Sequence, residues 1–208
     1  MDRVKIKNEA KTMIKENKWY LWKPQVIFGL ILGAITGVLT GIFNSIGGDT
    51  AKVLILLVSF ILELIEVAFT IGYAHYVLSF VRGKKMEWQD VVSYAKEHFV
   101  KAVLVSLVVG ILIMVGSILL FIPGVIIAIG LSFYQEVLVD NSDLSVMDVV
   151  KKSWNLTKGH KMDIFVFTLS FFGWIFVSGF TLGILLIWLI PYAKVALTLV
   201  YEELRKAA

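Results

Sequence analysis

Residues 116–124, GSILLFIPG, return near the other end of the chain at 183–192 as GILLIWLIPY, offset by a one-residue gap. Upstream of each lies a polar stretch with the same opening, Asp90-Val91-Val92 in one and Asp148-Val149-Val150 in the other. Downstream, Tyr134-Gln135-Glu136 falls against Tyr201-Glu202-Glu203. Matches at this spacing mark a duplicated unit, and a weaker copy precedes them, so the chain reads as three repeats, 1–83, 84–140 and 141–208, of a single membrane domain. Each repeat is a basic amphipathic helix followed by a hairpin of two membrane helices. The expected fold is all-α and integral to the membrane, with six crossings. An even number of crossings per unit makes the repeats parallel, without the inverted symmetry of many alternating-access transporters.

Composition supports the membrane assignment. Of 208 residues, 58% are hydrophobic and 17% charged, with mean hydropathy +0.83, too little polar surface for a soluble globule of this length. Apolar runs of about 20 residues suffice to span the hydrocarbon core. They are expected near 24–45, 51–81, 99–115, 118–139, 162–180 and 184–205, with surface helices near 4–17, 87–97 and 145–157. The surface helices show apolar residues at helical spacing, among them Ile6, Ala10, Met13 and Ile14, then Trp88, Val91, Val92 and Ala95, then Val146, Val149, Val150 and Trp154. They read first as connectors lying in the headgroup layer, with Trp19, Trp22, Trp88 and Trp154 as interface anchors, and alternatively as docking helices for lipid or a protein partner.

Charge sets the orientation. Segment 1–23 carries seven basic residues, 82–101 five and 141–163 four, whereas the connections near 46–50, 116–117 and 180–183 carry none. The positive-inside rule then places both termini and the three basic segments in the cytoplasm of a multi-pass protein. The excess of 20 Lys and Arg over 16 Asp and Glu is a topology signal, not a nucleic-acid footprint. The absence of Cys excludes disulfides and thiolate chemistry. The polar first 23 residues do not resemble a signal peptide.

Several features mark candidate sites. Gly29, Gly33, Gly37 and Gly41 form an unbroken small-xxx-small series, a glycine zipper that clears one helix face for close packing. The same chain is the favoured source of the partner helix, a second subunit the other. The repeat alignment moves the outer turn of the second hairpin from Pro123-Gly124 to Gly116-Ser117, so Pro123 and Pro191 become kinks inside their helices. Glu63 and Glu66 stand in SFILELIEVAF (59–69) and share a face with Thr70 and Tyr73. Counted from the outer end at about 1.5 Å per residue, Glu63 lies roughly 18 Å deep and Lys194 roughly 15 Å. A charge at that depth costs at least about 2.5–3.5 kcal/mol on insertion scales, so the acids call for a partner. An intramembrane cluster of Glu63, Glu66, Thr70, Tyr73, Tyr192, Lys194 and Glu136 is expected, with a Glu63/Glu66–Lys194 pair at its centre. It reads equally as a proton or substrate path and as an internal clamp that fixes helix register.

No catalytic motif accompanies it. HExxH, GxSxG and P-loop patterns are missing, His75, His98 and His160 are dispersed, and Glu63-x-x-Glu66 lacks the Glu-x-x-His pairs of a di-metal site. No enzyme activity, cofactor or metal is expected.

KKSWNLTKGHK (151–161), IPY (190–192), YEEL (201–204), IPG (122–124) and RGK (82–84) together carry a resemblance. The chain resembles the bacterial integral-membrane family catalogued as domain of unknown function nine hundred seventy-five. It is also distantly similar to the membrane domain of some glycerophosphodiester phosphodiesterases. The resemblance implies a six-helix protein of the bacterial cytoplasmic membrane and supplies no reaction or ligand. The expected function is that of a non-enzymatic accessory or scaffold protein for envelope export, lipid organisation or resistance to membrane-active peptides. The alternative is a small transporter or lipid-handling protein that uses the Glu/Lys cluster as gate or proton relay. The partners implied are the lipid bilayer and a membrane protein docked on the cytoplasmic helices, with oligomerisation open.

Overall fold

The computed structural model describes residues 2–181 and 183–207, and among these every regular element is a helix. Helix α1 (Arg3–Glu16) opens on Asp2, whose carboxylate accepts the Val4 and Lys5 N–H groups and so satisfies two donors of the first turn. Helices α2 (Lys18–Ile46) and α3 (Gly48–Val81) form a hairpin closed by Gly47 and Gly48 at φ +69° and +72°. That left-handed pair is open to glycine at little steric cost. A surface helix α4 (Trp88–Glu97) leads to α5 (Phe99–Leu119), α6 (Phe121–Gly130) and α7 (Tyr134–Asp140). A further surface helix α8 (Val146–Leu156) precedes α9 (Lys161–Phe180) and α10 (Ile184–Ala207). Taking α6 and α7 together, six segments are long and apolar enough to cross a bilayer: Lys18–Ile46, Gly48–Val81, Phe99–Leu119, Phe121–Asp140, Lys161–Phe180 and Leu185–Ala207. The chain is a multi-pass membrane protein.

Burial divides the molecule into two levels. Most of the core lies at the end that carries α1, α4 and α8, here called basal, with Leu21, Tyr76, Phe133, Phe167 and Tyr201 among the largest enclosed side chains. Toward the hairpin turns the helices spread and their apolar side chains face outward, up to Phe121 at 78% and Phe180 at 77% exposure. Lipid tails are as apolar as Leu, so in a bilayer the outer halves gain little from closing against one another. The basal halves are held instead by the surface helices and by polar contacts.

Each surface helix buries one stripe against the chain itself: Ile6, Ala10 and Ile14 of α1, Val91 and Ala95 of α4, Val149, Val150 and Ser153 of α8. α1 packs on α10, α4 on α3, and α8 on α5 and α7. Trp154 is accordingly not a free interface anchor. Its ring lies where a Cβ on Gly130 would stand, beneath the Lys161 ammonium, while Ser153 and Thr157 donate to the Gly130 carbonyl.

Two expectations about the second hairpin are corrected. α5 runs on to Leu119 and the turn falls at Leu120, in extended backbone, not at Gly116-Ser117. Gly116 is buried against Gly124, and Gly124 against Ser117, so these residues are where α5 and α6 touch. Pro123 sits in the first turn of α6, where its missing N–H would have no intrahelical partner, and it produces no kink. The break in the fourth crossing falls instead at Leu131–Phe133, between α6 and α7. Pro191 does lie within α10, and Pro24 within α2, which begins well before the expected position 24. Proline leaves the carbonyl four residues earlier without its helical donor. For Pro24 that carbonyl is Tyr20, and it accepts the Tyr76 hydroxyl at 3.0 Å.

Candidate functional site

The break between α6 and α7 turns Tyr134, Gln135 and Glu136 into the bundle. Lys194 of α10 donates to Glu136 Oε1 and to Gln135 Oε1, each at 2.7 Å. The Glu136 side chain is 2% exposed and that of Lys194 18%, so the pair is an enclosed one. Gln135 Nε2 donates onward to Thr70 Oγ1 at 3.2 Å and to the Tyr134 hydroxyl at 3.3 Å, which lies 3.3 Å from Ser106 Oγ. Thr198 Oγ1 reaches Glu136 Oε1 at 3.5 Å. The chain of contacts links α3, α5, α7 and α10. Glu136 Oε2 is buried with no hydrogen-bond partner.

This is the expected polar cluster in part. Thr70, Glu136 and Lys194 come together; Glu63 and Glu66 do not join them. Both acids are exposed on α3 and make no hydrogen bond or ion pair among the described residues. Lys194 lies at the level of Thr70, and at about 1.5 Å per residue Glu63 is roughly 10 Å and Glu66 roughly 6 Å further along α3. Tyr73 donates to the Leu21 carbonyl at 3.1 Å and Tyr192 to the Lys7 carbonyl at 3.4 Å, so these two hydroxyls tether α2 and α1. Gln135 and Ser106 complete the network, and the Tyr134-Gln135-Glu136 run was its sequence trace.

A second network closes the basal end. Arg82 grips both oxygens of Asp140 at 2.6 Å and donates to Glu202 Oε1 through Nε and Nη2 at 2.8 and 2.6 Å. Tyr201 donates to Asp140 Oδ2 at 2.8 Å, and Arg205 to Glu202 Oε2 at 3.0 Å. The hydrogen bonds to Asp140 hold the Arg82 guanidinium above its ordinary pKa, so it stays charged. Arg82 belongs to the RGK motif and Tyr201 and Glu202 to YEEL, whereas Asp140 and Arg205 lie outside both, and nothing in their spacing announced the pairing. Two of the dispersed histidines also meet: His75 stacks on Tyr94, and Tyr94 on His98, each at 4.1 Å between ring centroids. Among the described residues no three His, Asp or Glu side chains are grouped to hold a metal.

The family profile described as protein of unknown function (DUF975) matches residues 1–136 and 112–208, which together span the chain. The chain belongs to this family. No curated protein and no solved structure matches it. The DUF975 chain carries two further surfaces of interest. A groove of about 670 Å³ runs between α2, α3 and α10, lined by Trp22, Gln25, Phe28, Gly29, Glu66 and Thr70 among others, with Trp22 Nε1 buried and unpartnered. The remaining glycines of the α2 series continue beyond it. A Cβ built on Gly29, Gly33, Gly37 or Gly41 meets nothing within 4 Å, so no helix among the described residues occupies that face.

Proposed function

We propose that the chain is a non-enzymatic accessory or scaffold protein of the bacterial cytoplasmic membrane, serving envelope export, lipid organisation or resistance to membrane-active peptides. The reading rests on the outward surface of the α2–α3 hairpin. Gly29, Gly33, Gly37 and Gly41 face open space there, and Glu63 and Glu66 stand exposed and unpaired. Each exposed carboxylate in hydrocarbon costs about 2.5–3.5 kcal/mol on insertion scales, a cost that a neighbouring membrane helix with a donor or cation removes. The bared stripe gives such a helix close approach. Interior polar groups, by contrast, are engaged mainly with one another. Both termini and the three basic segments are assigned to the cytoplasm by their charge. The three parallel repeats, with their amphipathic leading helices, belong to the same proposal, supported by the Tyr-Gln-Glu run that braces the Lys194 network and the Tyr-Glu-Glu run that braces the Arg82 network. So does the distant likeness to the phosphodiesterase membrane domain.

The chain has no Cys, so Val38→Cys places a single crosslinker on the hairpin without background. In intact membranes the scaffold reading expects a discrete adduct, to a second copy or another protein, that Gly33→Leu and Glu63→Gln/Glu66→Gln each abolish. A hairpin that yields only lipid adducts removes it.

The transporter reading has one observation in its favour. The groove touches Thr70, which receives Gln135 and so connects to Lys194 and the unpartnered oxygen of Glu136. Proteoliposome flux that falls in both Glu66→Gln and Lys194→Met would establish it, and flux equal to that of empty vesicles would dismiss it.

A further inference from the structure

On the opposite flank of the bundle, α5, α6 and α8 line an open cavity of about 310 Å³. Its apolar wall is Leu112, Ile127 and Leu131, and its other wall is the face of α8 carrying Lys151, Trp154 and Asn155. Lys151 and Asn155 are one helical turn apart and point into the same space. The volume is at the small end of the ligand-pocket range, about 300–1,000 Å³, enough for a phosphate-bearing head and the start of a chain.

Charge decides what fits. No carboxylate lines the cavity, and Lys151 has no hydrogen bond or ion pair among the described residues. Lys161 adds a second cation above the Trp154 ring. Asp148, the nearest acid in sequence on α8, is engaged by the Ser145 hydroxyl that caps the helix. Trp154 is held in place from behind by Gly130, so the wall it forms is fixed before anything binds. A lysine and an amide side chain on one wall match a phosphate diester, the ammonium as a point charge and the amide as a neutral donor. The Leu112–Ile127 wall then matches the methylenes below that phosphate. We propose that this cavity is a binding site for one anionic phospholipid, its phosphate on Lys151 and Asn155 and its chain along Leu112 and Ile127. A free inorganic phosphate would leave the apolar wall bare, which commits the site to lipid. The site is separate from the α2–α3 surface, so it stands or falls without the scaffold proposal.

The full chain would be released from nanodiscs of equal phosphatidylglycerol and phosphatidylcholine and its retained lipid weighed by native mass spectrometry. One phosphatidylglycerol should outnumber phosphatidylcholine by about tenfold or more, a ratio worth one decade of affinity. Lys151→Gln should bring the ratio close to one, Lys151→Arg should keep it, and Ile127→Trp should remove lipid of both kinds. Inorganic phosphate should not compete, and Lys11→Gln, on an exposed face of α1, should change nothing. Equal retention of the two lipids by the unaltered chain would overturn the site. So would an unchanged preference in Lys151→Gln, an equal loss in Lys11→Gln, or displacement by inorganic phosphate.

Discussion

Lys194 and Glu136 show how little a buried ion pair says about net stability and how much about what its loss would do. Removing one partner strands the other in a low dielectric, a change that typically costs about 3–5 kcal/mol. Lys194→Met alone is therefore expected to lower thermal stability in detergent strongly, and Lys194→Met with Glu136→Leu to recover most of the loss. Glu63→Gln and Glu66→Gln, whose side chains make no hydrogen bond or ion pair among the described residues, should stay within about 0.5 kcal/mol of the parent in the same assay. Tyr76 gives a second test at this scale. Tyr76→Phe should cost about 1 kcal/mol, the usual net value of a hydrogen bond. Pro24→Ala, by returning an N–H to the Tyr20 carbonyl, should shrink that cost, a non-additivity that a double-mutant cycle in thermal unfolding reads directly.

At the level of whole helices, glycines divide by what faces them. Gly116, Gly124 and Gly130 each sit where a Cβ would strike a neighbour, whereas the α2 series faces open space. Gly130→Ala must push Trp154 aside and should cost about 1–3 kcal/mol, as overpacking does. Gly37→Ala removes a flexible residue from a helix interior and should stabilise the monomer by about 0.5–1 kcal/mol in the same unfolding assay. The positions of the helices were legible in the sequence because spanning length constrains them. The turn at Leu120 and the break at Leu131–Phe133 were not. The first is a run of apolar residues with no turn chemistry, and the glycine that looked like a turn proved to be a packing contact. Glu63 and Lys194 stay apart for a related reason: the hairpins do not reach one level. α3 has 34 residues and α10 has 24, so equal counts from the turns end at different heights.

Across the whole molecule, the basal core and the spread hairpins predict unequal order. Amide exchange should be slowest where Arg82, Asp140, Tyr201 and Glu202 bind α3, α7 and α10 together. Arg82→Gln removes the guanidinium that bridges Asp140 and Glu202 and should speed exchange across all three of those helix ends at once, while Arg3→Gln, whose contact to Asp163 is 3.8 Å and half exposed, should act on α1 and α9 alone. Overall topology is checked by cysteine labelling in intact cells. Asp49→Cys should react with an impermeant reagent, and Lys85→Cys and Asp143→Cys should react only after lysis, if charge has set the orientation as proposed.

The hairpins also differ in reach. At about 1.5 Å per residue, the 34 residues of α3 extend roughly 51 Å, while the 21 residues of α5 extend roughly 32 Å. A bilayer with a core of about 30 Å meets the second length comfortably and the first only by tilt or by stretching its own chains. The protein therefore has a thick side and a thin side, and the surrounding lipid has to grade between them. A molecule of that shape has a preferred heading within the plane of the membrane: its long side is least strained where the bilayer is already thick.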